Sequence, residues 1–212
     1  MANKNRKAQL QQANQQKAKQ KQYDAATKNM FIFPIIALVV SVLVLLLYFV
    51  TFAGLYNAQA PEGNEGLIKG WTFVSAALTG NYTSTELAGG KLAVPFYAFA
   101  PEWCETIGVV ALFAAVLFIV NVILQVFTIV RKMNVLNIVS AVIGLVASVL
   151  LIVCYATAVD LVNSPILPDY CNNNPACSFG SYSIIPAIVA LGGTAASVVA
   201  SVKHIKASAL LK

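Results

Sequence analysis

Four long stretches of this chain contain no Asp, Glu, Lys, Arg or His, and they constrain the fold more than any other feature. They are residues 30–53, 107–130, 135–159 and 182–202. A helix of about 20 residues, at ~1.5 Å per residue, spans the ~30 Å hydrocarbon core of a bilayer. Because a span has no water to bind its backbone groups, it must be α-helical. The sequence predicts an all-α membrane protein with a four-transmembrane-helix bundle.

The charges are sorted by segment. The chain is 58% hydrophobic and only 10% charged, with a formal charge of +6. Twelve of the 14 Lys and Arg lie in residues 1–29, 131–134 and 203–212, whereas seven of the eight acids lie in the two remaining connections. Basic segments beside spans stay in the cytoplasm. We therefore predict a multi-pass plasma-membrane protein with both termini cytoplasmic, and with Arg131 and Lys132 fixing the topology of the inner turn.

This pattern divides the chain into nine segments. In order, they are a basic, Gln-rich cytoplasmic segment (1–29), span one (30–53), outer loop one (54–106), span two (107–130), an inner turn (131–134), span three (135–159), outer loop two (160–181), span four (182–202) and a cytoplasmic tail (203–212). The first segment favours a solvated helix, since Gln, Lys and Ala are good helix formers. It is interpreted as an orientation signal that touches anionic lipids at the cytoplasmic face. The alternative is a tail that docks a cytosolic partner or RNA, although the sorting of charge disfavours nucleic acid.

The two outer loops are predicted to form a small extracytoplasmic cap. Residues 70–79 and 91–99 could be short β-strands joined by a turn rich in Gly, Asn and Thr. The rival interpretation is a re-entrant or interfacial segment, because Trp, Phe and Tyr favour the headgroup zone. Outer loop two contains Cys171 and Cys177, which are separated by five residues and lie on the oxidising side of the membrane. We predict a local disulfide between them.

Asn121 and Gln125 lie four residues apart in span two, on one helical face. Amides in lipid need partners, and cross-helix hydrogen bonds of ~0.6–2 kcal/mol are their usual role. The alternative is that the two amides line a substrate or ion path. The spans contain no ionisable residue that could serve a proton relay.

Small residues recur every four positions in spans three and four. They are Ser140, Gly144 and Ser148 in span three, and Gly192, Ala196 and Ala200 beside Gly193, Ser197 and Ser201 in span four. Such ridges let helix backbones approach closely. They predict tight helix packing, either within the bundle or in a homo-oligomer or a complex with a partner membrane subunit.

Residues that could carry chemistry are scarce. The single His, His204, lies on the opposite side from Cys171 and Cys177, so no metal site is predicted. Glu102 and Glu105 could form a carboxylate pair, but acids at a helix start also favour its dipole. No nucleotide-binding, Gly-x-Ser-x-Gly or His-Glu-x-x-His pattern occurs. We predict no cofactor and no enzymatic activity.

Cys104 and Cys154 both lie near the outer ends of their spans. A second disulfide between them is one interpretation. The alternative is a packed Cys154 and a free Cys104.

The topology resembles that of claudin-like and peripheral-myelin-protein-like tetraspan proteins. That family carries a Trp, a Gly-Leu-Trp motif and two spaced Cys in its first outer loop, whereas this chain has Trp71 and Trp103-Cys104 without a paired Cys. In its general sequence character the chain is also similar to small four-span proteins of Gram-positive bacteria, in which a segment like Gly70 to Gly80 precedes span two. This resemblance does not point to any particular activity. We predict an assembly, accessory or structural subunit, with a channel or transport subunit as the alternative.

Overall fold

The structure is a computed structural model that describes residues 2–28, 31–50, 70–81, 101–131, 133–163 and 184–209. All the regular secondary structure in these ranges is α-helical. The helices are α1 (Ala2–Thr27), α2 (Ile32–Val50), α3 (Gly70–Thr79), α4 (Pro101–Arg131), α5 (Asn134–Asn163) and α6 (Ile185–Ala209). The predicted all-α class is confirmed for the described residues.

Three helices contain segments long and apolar enough to cross a membrane. The segments are Glu102–Arg131, Asn134–Asp160 and Ile185–Ala209. Helix α2 contributes a shorter apolar stretch, Ile32–Leu47. The whole of α2, Ile32–Val50, has 19 residues and measures about 28 Å at ~1.5 Å per residue, close to the ~30 Å hydrocarbon thickness. The composition and length of these helices indicate a multi-pass membrane protein.

Four helices pack in a closed order around a common interior. Helix α4 packs on α5, α5 on α6, α6 on α2, and α2 on α4. Along α2 the buried residues are Pro34, Ala37, Ser41 and Val44, spaced alternately by three and four positions. This spacing keeps one stripe of a helix against its neighbours at a shallow crossing angle. The opposite face of α2 exposes Ile, Val and Leu side chains, as expected for contact with lipid.

Residues 70–79 form helix α3, so the interpretation of this segment as a strand is wrong. The helix packs on α4 and α2 and buries Phe73, Val74 and Ala76. Trp71 Nε1 donates a hydrogen bond of 3.3 Å to the Leu45 carbonyl oxygen. The strand preference of the aromatic and β-branched residues is overridden because burial against two helices decides the conformation. The second predicted strand, residues 91–99, lies outside the described residues.

The long helices extend beyond the uncharged runs from which the spans were predicted. Helix α4 begins at Pro101, a residue suited to a first helical position, and Glu102 follows in the turn where the helix dipole favours an acid. Helix α6 continues through Lys203 and Lys206, cations that the dipole favours near a helix end. The apolar run therefore marks the part of the helix that suits lipid. The helix itself begins before the run in α4 and ends after it in α6.

The start of α2, the end of α4, the start of α5 and the end of α6 meet at one end of the bundle, which we call the basic end. Lys203 Nζ lies 4.4 Å above the centre of the Phe33 ring, an attractive contact between a cation and an aromatic face. Helix α1 also contacts α6. As predicted for a solvated helix, the described side chains of α1 are mainly exposed.

Candidate functional site

Seven buried polar side chains form one hydrogen-bonded series through the interior of the bundle. We call this series the polar chain. Its members are Ser41 of α2, Asn121 and Gln125 of α4, Asn137 and Ser140 of α5, and Ser197 and Ser201 of α6, each no more than 7% exposed. The polar chain therefore joins all four packed helices.

The first part of the polar chain links α2, α4 and α5. The Ser41 hydroxyl donates to the Ala37 carbonyl oxygen at 2.9 Å, and Asn121 Nδ2 donates to Ser41 Oγ at 3.0 Å. The Ser140 hydroxyl donates to Asn121 Oδ1. Both polar groups of the Asn121 amide are thus paired, one on each side of α4.

Gln125 continues the polar chain to α6. Its Nε2 donates to Ser140 Oγ and to Ser197 Oγ, the latter at 2.7 Å. Asn121 and Gln125 share a face because they are one helical turn apart. Ser140 contacts both amides, and this shared contact brings the two sequence-predicted polar residues into one network.

Asn137 forms the last part of the polar chain, at the basic end. Its Nδ2 donates to the Ser197 carbonyl oxygen at 2.8 Å and to Ser201 Oγ at 2.6 Å. The Ser201 hydroxyl itself donates to the Ser197 carbonyl oxygen at 3.0 Å. The two bonds of Asn137 join the first turn of α5 to the second half of α6, whereas the Ser201 bond lies within α6.

The direction of the hydrogen bonds follows from the first one. Ser41 gives its only hydroxyl hydrogen to the carbonyl oxygen of Ala37, so its oxygen can only accept, and Asn121 must turn its amino group toward it. Asn121 Oδ1 then faces Ser140 and accepts the hydrogen of that hydroxyl. Ser140 in turn can only accept from Gln125 Nε2. The side-chain oxygen of Gln125 therefore has no hydrogen-bond donor among the described residues.

Two acceptors in the interior remain without a described partner. Gln125 Oε1 and Asn137 Oδ1 are buried and accept no hydrogen bond from any described residue. A buried polar atom without a hydrogen bond costs ~1–3 kcal/mol. The polar chain is therefore rich in acceptors, and it suits a species that donates hydrogen bonds.

Gly144 of α5 lies close to both α4 and α6. A Cβ atom there would lie 2.9 Å from Thr194 Oγ1 and 3.3 Å from Asn121 Nδ2. One turn further along α5, the Ser148 hydroxyl donates to the Gly144 carbonyl oxygen at 2.7 Å. The ridge of Ser140, Gly144 and Ser148 is therefore used inside the bundle.

The two neighbouring glycines of α6 have opposite surroundings. A Cβ atom at Gly193 would lie 2.7 Å from Val40 Cγ1 of α2, whereas one at Gly192 would meet no atom within 4 Å. Ala196 and Ala200 are buried. Of the predicted packing residues in α6, Gly192 is the one that faces outward.

Cys104 and Cys154 are free thiols. Both are buried in an apolar cluster that also contains Phe73 of α3. The interpretation of these two cysteines as a second disulfide is wrong, because each sulfur packs as a small apolar group. Cys171 and Cys177, for which a disulfide is predicted, lie outside the described residues.

The topology residues lie at the turn between α4 and α5. Arg131 is the last residue of α4 and is exposed. Lys132 lies outside the described residues. Asn134 already begins α5, so the connection is shorter than the predicted turn.

The sequence analysis did not identify Ser41, Asn137 and Thr194 as buried polar residues of the bundle. Ser41 is the single polar side chain between positions 31 and 47, which is a signal that could have identified it. Asn137 could have been found by the same rule applied to Asn121, because an amide within an apolar run needs a partner. Nothing in the sequence identifies Thr194, because its contact with Gly144 arises only when α5 and α6 pack together.

No protein-family model, curated protein or solved structure matches this chain. The resemblance to tetraspan proteins and to small bacterial four-span proteins thus stays a prediction.

Proposed function

We propose that this protein is a non-enzymatic, multi-pass plasma-membrane protein that acts as a structural or accessory subunit in an assembly. The polar chain is the observation that carries the proposal. It ties α2, α4, α5 and α6 together through side chains that are almost completely buried. A bundle joined in this way would be rigid, and it could bind partners through its ends and its outer surface.

We propose further that α2 is a fourth span and that the basic end faces the cytoplasm. Arg131, Lys203 and Lys206 lie at this end, and the positive-inside rule places such residues on the cytoplasmic side. Glu102 and Glu105 begin α4 at the other end. In this arrangement, we infer that α1 and the end of α6 lie beside the anionic lipids of the inner leaflet.

The surface available for assembly is apolar. Exposed side chains such as Phe113, Ile123 and Phe127 of α4 and Ile188 of α6 contact lipid or a neighbouring subunit. Gly144 and Gly193 are occupied within the bundle, whereas Gly192 faces outward and permits a close approach by another helix. We propose that a homo-oligomer or a partner subunit uses this outward face together with the outer loops.

The experiment is a measurement of assembly in mild detergent by native mass spectrometry, combined with crosslinking in cells. We expect a complex larger than one chain, and we expect Gly192→Leu to weaken it without lowering the melting temperature, since a Cβ atom at Gly192 meets no atom within 4 Å. The matched change is Leu191→Ile on the same exposed part of α6, which should preserve the complex. A monomer in both detergent and cells would contradict the proposal.

The second candidate is a channel or transport subunit with a path near Asn121 and Gln125. It is favoured by the two acceptors without described partners, Gln125 Oε1 and Asn137 Oδ1. Solute or ion flux into liposomes tests it. We expect flux for the unmodified protein and its loss in an Asn121→Leu, Gln125→Leu double variant, with the outward-facing Ile123→Leu as control. Normal flux in a folded double variant would rule this candidate out.

A further inference from the structure

A small, mainly apolar recess opens at the basic end. Its apolar lining consists of Phe31 and Pro34 at the start of α2, Met133 before α5 and Ala200 of α6. Thr128 of α4 also lines it, and the hydroxyl of that residue donates to a carbonyl oxygen of its own helix. The volume of the recess is about 10 Å³, so it can accept a methyl or methylene group but not a whole hydrocarbon chain.

Two cations lie on either side of the opening of this recess. Arg131 follows Thr128 by three positions in α4, and Lys203 follows Ala200 by three positions in α6. Residues three apart lie on the same side of a helix. Both Arg131 and Lys203 are exposed. The ends of α4 and α6 therefore present one cation each at the edge of the recess.

Lys203 has a defined position, and its charge is not neutralised. Its Nζ lies 4.4 Å from the centre of the Phe33 ring, and a ring attracts a cation without carrying a net charge. Neither Arg131 nor Lys203 forms an ion pair with a described residue. Among the described acids, only Asp24 of α1 belongs to the cytoplasmic segments, and it accepts a hydrogen bond from Gln20. Both positive charges are therefore available to an anion.

The side chains next to these cations are apolar and exposed. Val130 and Met133 lie beside Arg131 in the sequence, Ile205 lies close to Lys203, and all three are exposed. Cations directly beside exposed apolar side chains are typical of the boundary between the hydrocarbon and the headgroups of a bilayer. A free inorganic anion would leave the apolar side chains uncovered. A phospholipid brings a phosphate and acyl chains together, so it matches both parts of this surface.

We propose that the basic end binds one anionic phospholipid, with its phosphate between Arg131 and Lys203 and the first part of an acyl chain over the recess. We call this the lipid site. Arg pairs with phosphate through two parallel hydrogen bonds, and Lys adds a point charge. A zwitterionic lipid would bring its own cation close to Arg131 and Lys203, so the lipid site favours a lipid with a net negative charge.

The lipid site differs from a general attraction between basic segments and anionic lipids. It has a fixed place and binds one lipid per chain, and it depends on two cations rather than on the total charge. Its assignment to the inner leaflet rests on the proposed function, in which the basic end faces the cytoplasm. The binding itself depends only on the packing of α2, α4, α5 and α6.

The experiment is native mass spectrometry of the full chain in mild detergent, with phosphatidylglycerol and phosphatidylcholine that carry the same acyl chains. We expect one phosphatidylglycerol per chain, retained in preference to phosphatidylcholine. Arg131→Gln and Lys203→Gln should each lower the affinity for phosphatidylglycerol about fivefold, the usual effect of one cation beside an anionic lipid. The matched control is a Lys17→Gln, Lys21→Gln double variant of α1, which loses two cations outside the lipid site and should bind normally.

Three results would overturn the proposal. The first is equal retention of the two lipids. The second is a loss of affinity in the α1 double variant as large as that in an Arg131→Gln, Lys203→Gln double variant, which would show a diffuse attraction. The third is displacement of phosphatidylglycerol by an equal concentration of glycerol 3-phosphate, which would show a site for free phosphate esters.

The same spectra separate the lipid site from the proposed function. A detergent micelle has no inner and outer side, and the lipid is counted per chain, so the result does not depend on the orientation of the protein or on its assembly. A monomer that retains phosphatidylglycerol would contradict the proposed assembly and support the lipid site. A larger complex with no preference for phosphatidylglycerol would do the reverse.

Discussion

Asn121 Nδ2 lies 3.0 Å from Ser41 Oγ, and this contact joins residues 80 positions apart in the sequence. On the other side of the amide, Asn121 Oδ1 accepts the hydrogen of the Ser140 hydroxyl. One side chain therefore holds α4 against both α2 and α5. The contact is also the point from which the direction of the neighbouring hydrogen bonds is set.

Replacing Asn121 should cost more stability than replacing Gln125. We expect Asn121→Leu to lower the free energy of unfolding by about 1–3 kcal/mol, because it removes an amide with both groups paired and leaves two hydroxyls short of a partner. Gln125→Leu also removes an unpartnered oxygen, so its cost should be smaller. Unfolding in detergent checks the order, with outward-facing Val120→Leu as control. A larger cost for Gln125→Leu would contradict the directed network.

A methyl group at position 144 should loosen the contact between α5 and α6. Its Cβ atom would lie 2.9 Å from Thr194 Oγ1, and overpacking of this kind costs ~1–3 kcal/mol. We expect Gly144→Ala to lower the melting temperature and Thr194→Ala to recover part of the loss in the double variant. If the two changes are simply additive, the steric explanation fails.

The adjacent glycines of α6 provide a matched pair. Gly193→Ala should destabilise the bundle, because its Cβ atom would meet Val40 Cγ1 at 2.7 Å. Gly192→Ala places its methyl group in open space and should be neutral or slightly stabilising, since Ala favours a helix by up to ~1 kcal/mol over Gly. Melting temperatures in detergent compare the two, and Val40→Ala should rescue Gly193→Ala. Equal effects would mean that α6 is rotated from its described position.

Trp71 should hold α3 against α2. Trp71→Phe keeps an aromatic ring but removes the hydrogen bond to the Leu45 carbonyl oxygen, for which the usual net contribution is ~0.5–1.5 kcal/mol. We expect faster hydrogen exchange in residues 70–79 and little change in α5. Trp103→Phe is the control in the same apolar cluster. Unchanged exchange in α3 would show that the bond does not hold it.

The thiols of Cys104 and Cys154 should resist labelling in the folded protein. Cys104 is 0% exposed and Cys154 is 3% exposed, so a water-soluble maleimide has no access to either sulfur. We expect peptide mapping to find both residues modified only after denaturation. Rapid modification of Cys104 in liposomes would contradict the packing of α3 on α4.

The sequence was sufficient for features that depend on length and local composition. Three of the uncharged runs correspond to long apolar helices, because ~20 apolar residues in lipid have no better conformation than a helix. Residues 70–79 were less certain from sequence, since Trp, Thr, Phe and Val favour strands whereas Ser, Ala and Leu tolerate helices. Burial of Phe73 and Val74 decided between them.

Asn121 and Gln125 could be selected from sequence alone, because an amide in an apolar run has to find a hydrogen-bond partner. Which partners they find, Ser41 and Ser197 among them, depends on helix rotation and depth, and these are set by packing between residues far apart in the chain. Gly192 and Gly193 show the same division. Both fit a ridge of small residues in the sequence, yet only the tertiary structure decides that Gly193 meets Val40 while Gly192 faces outward, because one residue step turns a side chain by about 100° around the helix axis.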